Sequence, residues 1–251
     1  CIVAGAEVSH SAGPHSNPCA EGATGGAPER VSRASMREGL FVVLEGIDGA
    51  GTTTQVARLV ASLRARGIGA LGTREPSDGP IGTQIRQILT GRLVVRSPAG
   101  GHAPPGWPTL ALLFAADRVD HLESEIVPNL RDGVIVVSDR YDHSSVAYQG
   151  AATDDPAIVA WIRAINGRAR RPDLTIVLDV PADVALERRR RRAGRAELYE
   201  VDDLQARLAA YYARIEAHFP EDTVLHLDGA RDADTVAADI LAAVEARLAP
   251  A

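Results

Sequence analysis

Five short apolar runs, each followed by a stretch with helical spacing, place the strongest limit on what this chain can fold into. Residues 40–46 (LFVVLEG), 69–76 (GALGTREP), 132–139 (DGVIVVSD), 173–180 (DLTIVLDV) and 223–228 (TVLHLD) have the length and β-branched content of buried strands. Helical patterns cover 53–66, a stretch from Pro80 with Ile81, Ile85 and Ile88 on one face, 109–127 ending near Pro128, 182–192, 202–219 and 235–248. Strands that alternate with helices predict an α/β fold, a five-stranded parallel sheet with helices on both faces and ligands at the carboxyl ends of its strands. The 251 residues, 45% hydrophobic, suffice for one such core, and with aromatics at only 4% it must be mainly aliphatic. Residues 97–108, rich in Pro and Gly, are expected to form a loop between helices.

The first strand runs straight into EGIDGAGTTTQ, residues 45–55. A strand that feeds a glycine-rich turn into a helix leaves backbone N–H groups unpaired and aimed at one point, where the helix dipole also favours negative charge. The phosphate-loop pattern G-x-x-x-x-G-K-[ST] fits from Gly46 to Thr53 except at its lysine, where Thr52 stands. The candidate polyphosphate cradle is therefore Gly46, Ile47, Asp48, Gly49, Ala50, Gly51, Thr52, Thr53 and Thr54, with Thr53 placed to offer a hydroxyl to Mg²⁺.

The chain contains no lysine, so the missing loop cation is not displaced to a nearby lysine. A formal net charge of −6 argues against holding nucleic acid by bulk electrostatics, and no apolar run is long enough to span a bilayer. Small-molecule partners are expected, with neither nucleic acid nor membrane. Residues 1–35, which contain Cys1 and Cys19, are rich in Gly, Ala, Ser and Pro without periodicity and are expected to be disordered. Met36 is the expected true start, with 1–35 upstream of it and 36–251 the working domain. No cysteine follows, which leaves no disulfide framework and makes the cytoplasm the expected compartment.

The segments FVVLEGIDGAGTTTQ, TREP, LLFAADR, DRYDHSSVAYQG and RPDLTIVLDV, in this order and approximate spacing, resemble thymidylate kinase from Arg37 to the carboxyl end. The resemblance implies a P-loop NTPase fold with a short mobile lid at about residues 188–200, Mg²⁺ as cofactor, and commonly a homodimer. It implies transfer of the γ-phosphoryl group of ATP to dTMP, giving ADP and dTDP in dTTP synthesis. Arg74 and Arg140 would grip the dTMP phosphate, Arg140 also near the transferring group, and Asp139 would orient Mg²⁺ through water. Asp48 would contact the sugar 3′-hydroxyl or position the acceptor. Phe114 and Arg118, four apart on one helical face, would stack on and hydrogen-bond to thymine. Ser145 and Gln149 would reach the base edge or its surroundings, and Tyr148 would crowd the sugar 2′ position.

Without a loop arginine, the family's catalytic cation comes from the lid. Related lids often carry an arginine two residues before the glutamate aligned with Glu200, where this chain has Leu198. The role would fall to some of residues 188–192, with Arg188 and Arg192 as candidates, or to Arg195. Loss of one such electrostatic contact without compensation costs roughly 3 kcal/mol, about two decades in rate. Three alternatives to an active dTMP kinase stay open at this point: a nucleotide-binding homologue that has lost transfer, a kinase of another nucleoside monophosphate, and a nucleic-acid module using the arginine run.

Overall fold

The computed structural model describes residues 38–97, 99–150, 155–191 and 202–248. Residues 1–35, Met36, Arg192 and the expected lid beyond Arg191 lie outside the described residues. Strand β1 (Phe41–Glu45) leads into α1 (Thr52–Ala65), followed by β2 (Ala70–Arg74) and α2 (Pro80–Leu89). Two short strands, β3 (Val95–Arg96) and β4 (His102–Ala103), precede α3 (Trp107–His121), α4 (Val127–Arg131) and β5 (Ile135–Asp139). Then come α5 (Asp142–Ser145), α6 (Pro156–Ile165), β6 (Leu174–Asp179), α7 (Ala182–Arg191), α8 (Asp202–Tyr212), β7 (Val224–Asp228) and α9 (Ala233–Leu248).

The main sheet is parallel throughout, in the order β2-β5-β1-β6-β7. Because side chains alternate across a strand, Val42 and Leu44 enter one core with α1 and α9 residues, while Phe41 and Val43 enter another with Leu122, Ile126 and Leu130. Helices therefore cover both faces, as a P-loop NTPase fold requires. The chain leaves β1 for β2 on one side and reaches β6 on the other, so the crevice at the carboxyl end of β1 is a topological switch point, the place where open α/β sheets generally take their ligands. Pairing of Leu44 and Arg74 with Asp139 lines up that rim. No helix among the described residues is long and apolar enough to cross a membrane.

Several local expectations need correction. The stretch 97–108 is not all loop: β3 and β4 pair antiparallel, and Trp107 already opens α3. Gly100 and Gly101, at φ 95° and 74°, make that reversal, a left-handed conformation few other residues adopt. Pro128 does not stop the long helix. A π-turn over Leu122–Ile126 precedes it, with the Val127 N–H bonded to the Leu122 carbonyl, and this wider turn accommodates a ring that has no N–H to give. The expected helix 202–219 breaks after Tyr212 and ends in a 3₁₀ turn, Ile215–Ala217. Helix α6 was not expected at all, although Asp155-Pro156 is a legible start, with Asp155 Oδ1 accepting from the Ala157 N–H at 2.9 Å and Pro156 in the first turn.

A buried ionic cluster ties the turn before β7 to α5. Arg171 Nε donates to Asp222 Oδ1 at 2.9 Å, and its other nitrogens reach Asp222 and Asp142. His143 Nε2 lies 2.7 Å from Asp222 Oδ2. Burial alone would raise the Asp222 pKa, but His143 and Arg171 outweigh it and hold the carboxyl down at about 2. A depressed carboxyl stabilises the fold above its unfolded value near 4, and that contribution is lost as pH falls through its folded value. Asp222 is thus expected to contribute about 2 kcal/mol at neutral pH, lost between about pH 4 and pH 2. Urea unfolding of Asp222→Asn should show that deficit at pH 7 and little difference from the parent near pH 2.

Candidate active site

The loop after β1 is built from both sides. Ile47 and Ala50 are buried in the core and anchor it from below, which leaves the backbone rather than these side chains to face a ligand. Gly49 and Gly51 take φ 94° and 99°, and Gly51 caps α1 without a side chain, so the first amides of that helix remain open to an anion. Thr52, at the lysine position, is buried at the start of α1, whereas Thr53 and Thr54 are exposed. The Thr53 hydroxyl donates to Asp139 Oδ2, and Asp139 Oδ1 is buried without a partner among the described residues.

Beside the loop opens a cleft of about 180 Å³ lined by Asp48, Phe114, Arg118, Arg140, Ser145, Tyr148 and Gln149, together with Glu75, Pro76, Leu89, Tyr141 and Ser144. Seven of the eight residues expected around the acceptor thus share one wall-to-wall space. Arg74 is the exception: it lines a neighbouring depression with Thr53 and Asp139, half exposed, its Nη2 2.7 Å from Asp78 Oδ1.

Arg140 takes φ 73°, a conformation that costs a residue with a side chain about 1 kcal/mol. Surrounding bonds hold it there: its N–H reaches the Leu44 carbonyl at 2.9 Å, Nη2 reaches Asp48 Oδ1 at 2.7 Å, and the guanidinium lies 5.1 Å from the Tyr148 ring centre. Burial works against its charge, but Tyr148, Asp48 and neighbouring groups push its pKa well above the ordinary arginine value, so it stays cationic. Gln205 on α8 accepts from the Asp48 N–H at 3.0 Å and donates to Asp48 Oδ2 at 2.8 Å, which leaves that carboxylate little freedom. Beneath them Glu45, fully buried, accepts from the Tyr141 N–H at 2.8 Å, the Ser144 hydroxyl at 2.7 Å and the Tyr212 hydroxyl at 2.9 Å. Burial raises its pKa against the pull of His143 and Arg140.

At the far wall Arg118 is almost wholly buried and pairs with Glu75 Oε2 at 2.5 Å, with further donation to Asn166 and to the Ser145 hydroxyl at 3.3 Å. Arg118 Nε and Gln149 Oε1 are closed off from solvent without partners among the described residues, and both residues line the cleft. His121 stands behind Glu75. Burial lowers its pKa, but Glu75 and Glu125 outweigh that and raise it.

Sequence reasoning missed Glu75, Asn166, Gln205, Tyr212 and Glu45. Glu75 stands inside the TREP segment and Glu45 inside EGIDGAGTTTQ, whereas Asn166, Gln205 and Tyr212 lie far from the loop in sequence, with no local signal that folding would bring them here. Arg188 Nη1 donates to the Gly229 carbonyl at 3.0 Å and to the Ala50 carbonyl at 3.3 Å, on the loop's outer side.

The family model for thymidylate kinase matches residues 44–240. This chain belongs to the thymidylate kinase family. Among its relatives, a probable thymidylate kinase of Pyrococcus horikoshii is 36% identical over 210 residues, 84% of this chain and 98% of that protein. One from Pyrobaculum aerophilum is 40% identical over 200 residues, 80% of this chain and 93% of the relative. A third, from Caldivirga maquilingensis, is 39% identical, covering 82% and 93% of the two chains. Family membership thus spans both the phosphate loop and the cleft.

The Arg118–Glu75 pair gives a stability test independent of ligands. Arg118→Met strands a buried carboxylate and should cost about 3 kcal/mol. Adding Glu75→Gln should recover part of that loss, and denaturant melts of the single and double variants measure the coupling.

Proposed function

We propose that this protein phosphorylates dTMP to dTDP with Mg-ATP, contributing to dTTP synthesis in the cytoplasm. The observation that carries the reading is Asp48: one residue belongs both to the phosphate loop and to the cleft lined by Phe114, Arg118, Arg140, Ser145, Tyr148 and Gln149. A donor in the loop and an acceptor in the cleft therefore meet at one carboxylate. An oxygen of the dTMP phosphate forms a bond to the γ-phosphorus as the bond to the β,γ-bridging oxygen breaks, and that electron pair leaves with ADP. The protein's part is to position two anions and neutralise them.

In this reading the thymine ring lies between Phe114 and the Arg118 side of the cleft, with Gln149 near its edge. Tyr148 crowds the sugar 2′ position, Asp48 orients the 3′-hydroxyl side, and Arg140 faces the phosphate. Arg74 joins by leaving Asp78. Thr53 and Asp139 fit Mg²⁺, because a hydroxyl and a carboxylate beside it are the hard oxygen groups it takes, Thr53 directly and Asp139 through a water, and the ion would supply charge against the phosphates. Two exposed apolar residues of α3, Leu112 and Val119, lie seven apart on one face and suit a homodimer contact. Sedimentation should show a dimer that Leu112→Glu weakens.

A coupled ADP-release assay with Mg-ATP and dTMP, run beside Thr52→Lys, tests the reaction. The parent is expected to turn over, and the lysine variant to differ by less than about tenfold, the signature of a compensated cation. Nucleotide binding without ADP release in the parent, with release restored by Thr52→Lys, would overturn the reading. Substituting dUMP for dTMP checks the acceptor.

A further inference from the structure

Helix α7 presses on the outer side of the phosphate loop. A Cβ on Gly49 would stand 2.5 Å from the Ala185 carbonyl oxygen and 3.1 Å from Arg189 Cγ, so the helix meets the loop at a point where only glycine fits. From that contact Arg189 Nη1 donates to the Asp48 carbonyl at 2.8 Å. Arg189 is buried, while its neighbours Arg190 and Arg191 are exposed. Arg189 has thus turned inward onto the loop.

A trans peptide is planar, and its C=O and the following N–H point in opposite directions. A guanidinium that fixes the Asp48 carbonyl outward therefore fixes the Gly49 N–H inward, toward the space an anion would take. Arg188 acts alike two peptides on, since its bond to the Ala50 carbonyl orients the Gly51 N–H. Among the described residues neither of these two N–H groups has a backbone acceptor. Glycine at 46, 49 and 51 leaves such peptide planes free to rotate unless something holds them. The demand on these N–H groups is greater here, because Thr52 brings no ammonium to the phosphates.

We infer that Arg189 is a positioning residue that holds the Asp48–Gly49 peptide with its N–H toward the incoming polyphosphate, acting from behind the loop rather than on the nucleotide. The inference deepens the kinase reading and rests on it for ATP as the ligand. Arg189→Met and Arg189→Lys test it through calorimetric affinities for Mg-ATP and dTMP and through amide hydrogen exchange over residues 46–53. Arg189→Met should weaken Mg-ATP by at least about tenfold, the scale of one charge-assisted hydrogen bond, and quicken exchange in the loop. Its dTMP affinity should stay within about twofold, and Arg189→Lys should recover most of the loss. Unchanged Mg-ATP affinity with unchanged loop exchange would overturn the inference, as would an equal loss for both nucleotides. None of these readouts needs turnover, so failure of the kinase reading would show separately, as no ADP release from the unaltered chain.

Discussion

A carboxylate taken out of water is costly unless donors surround it, and Glu45, closed off at the end of β1, imposes that demand on everything near it. Its donors come from the chain after β5, from α5 and from α8, elements far apart in sequence. Satisfying one charge therefore seats α5 and α8 against the end of β1. The two residues at the centre of the site follow from that arrangement: Arg140 immediately precedes Tyr141, and Asp48 lies three positions after Glu45 and is gripped by Gln205 of α8. The parallel register supplies the rest, because it brings Arg74 and Asp139 to the same rim.

Arginine is the only strong side-chain base in this chain, and the structure shows why that composition works. Arg171 binds Asp142 and Asp222 at once, and Arg118 reaches Glu75, Ser145 and Asn166. A planar fork can span acceptors on separate elements in fixed geometry, which a compact ammonium does less well. What arginine does not replace is a short, mobile charge inside a glycine loop. The glycine loop consequently offers backbone amides, with arginines at its margins.

The sheet was legible because its strands are short, apolar and bounded by turns, and β1, β5 and β6 fall within the runs that announced them. The loop and the cleft residues Asp48, Phe114, Arg118 and Arg140 were legible because each belongs to a local pattern or to a family motif. Asn166 and Gln205 were not, since nothing near them in sequence reports a partner 48 or 157 positions away. Pro128 misled because a proline ends a regular α-helix, and the compensating π-turn before it is a property of packing rather than of residue type. Helix α6, by contrast, carries its own start signal in Asp155-Pro156 and is legible from sequence.

The contrast between Arg118 and Arg74 has a consequence for ionic strength. Dissolved ions screen charges that water reaches, over a Debye length of about 8 Å at physiological salt, and act far less on buried pairs. Arg118 and Glu75 are already closed off from water, so the wall they form keeps its electrostatic character as salt rises. Arg74, half exposed beside Asp78, exchanges one screened partner for another whenever it turns toward an anion. The cleft thus has a wall nearly blind to salt, while the depression beside it holds an arginine whose pull on any anion weakens as salt is added.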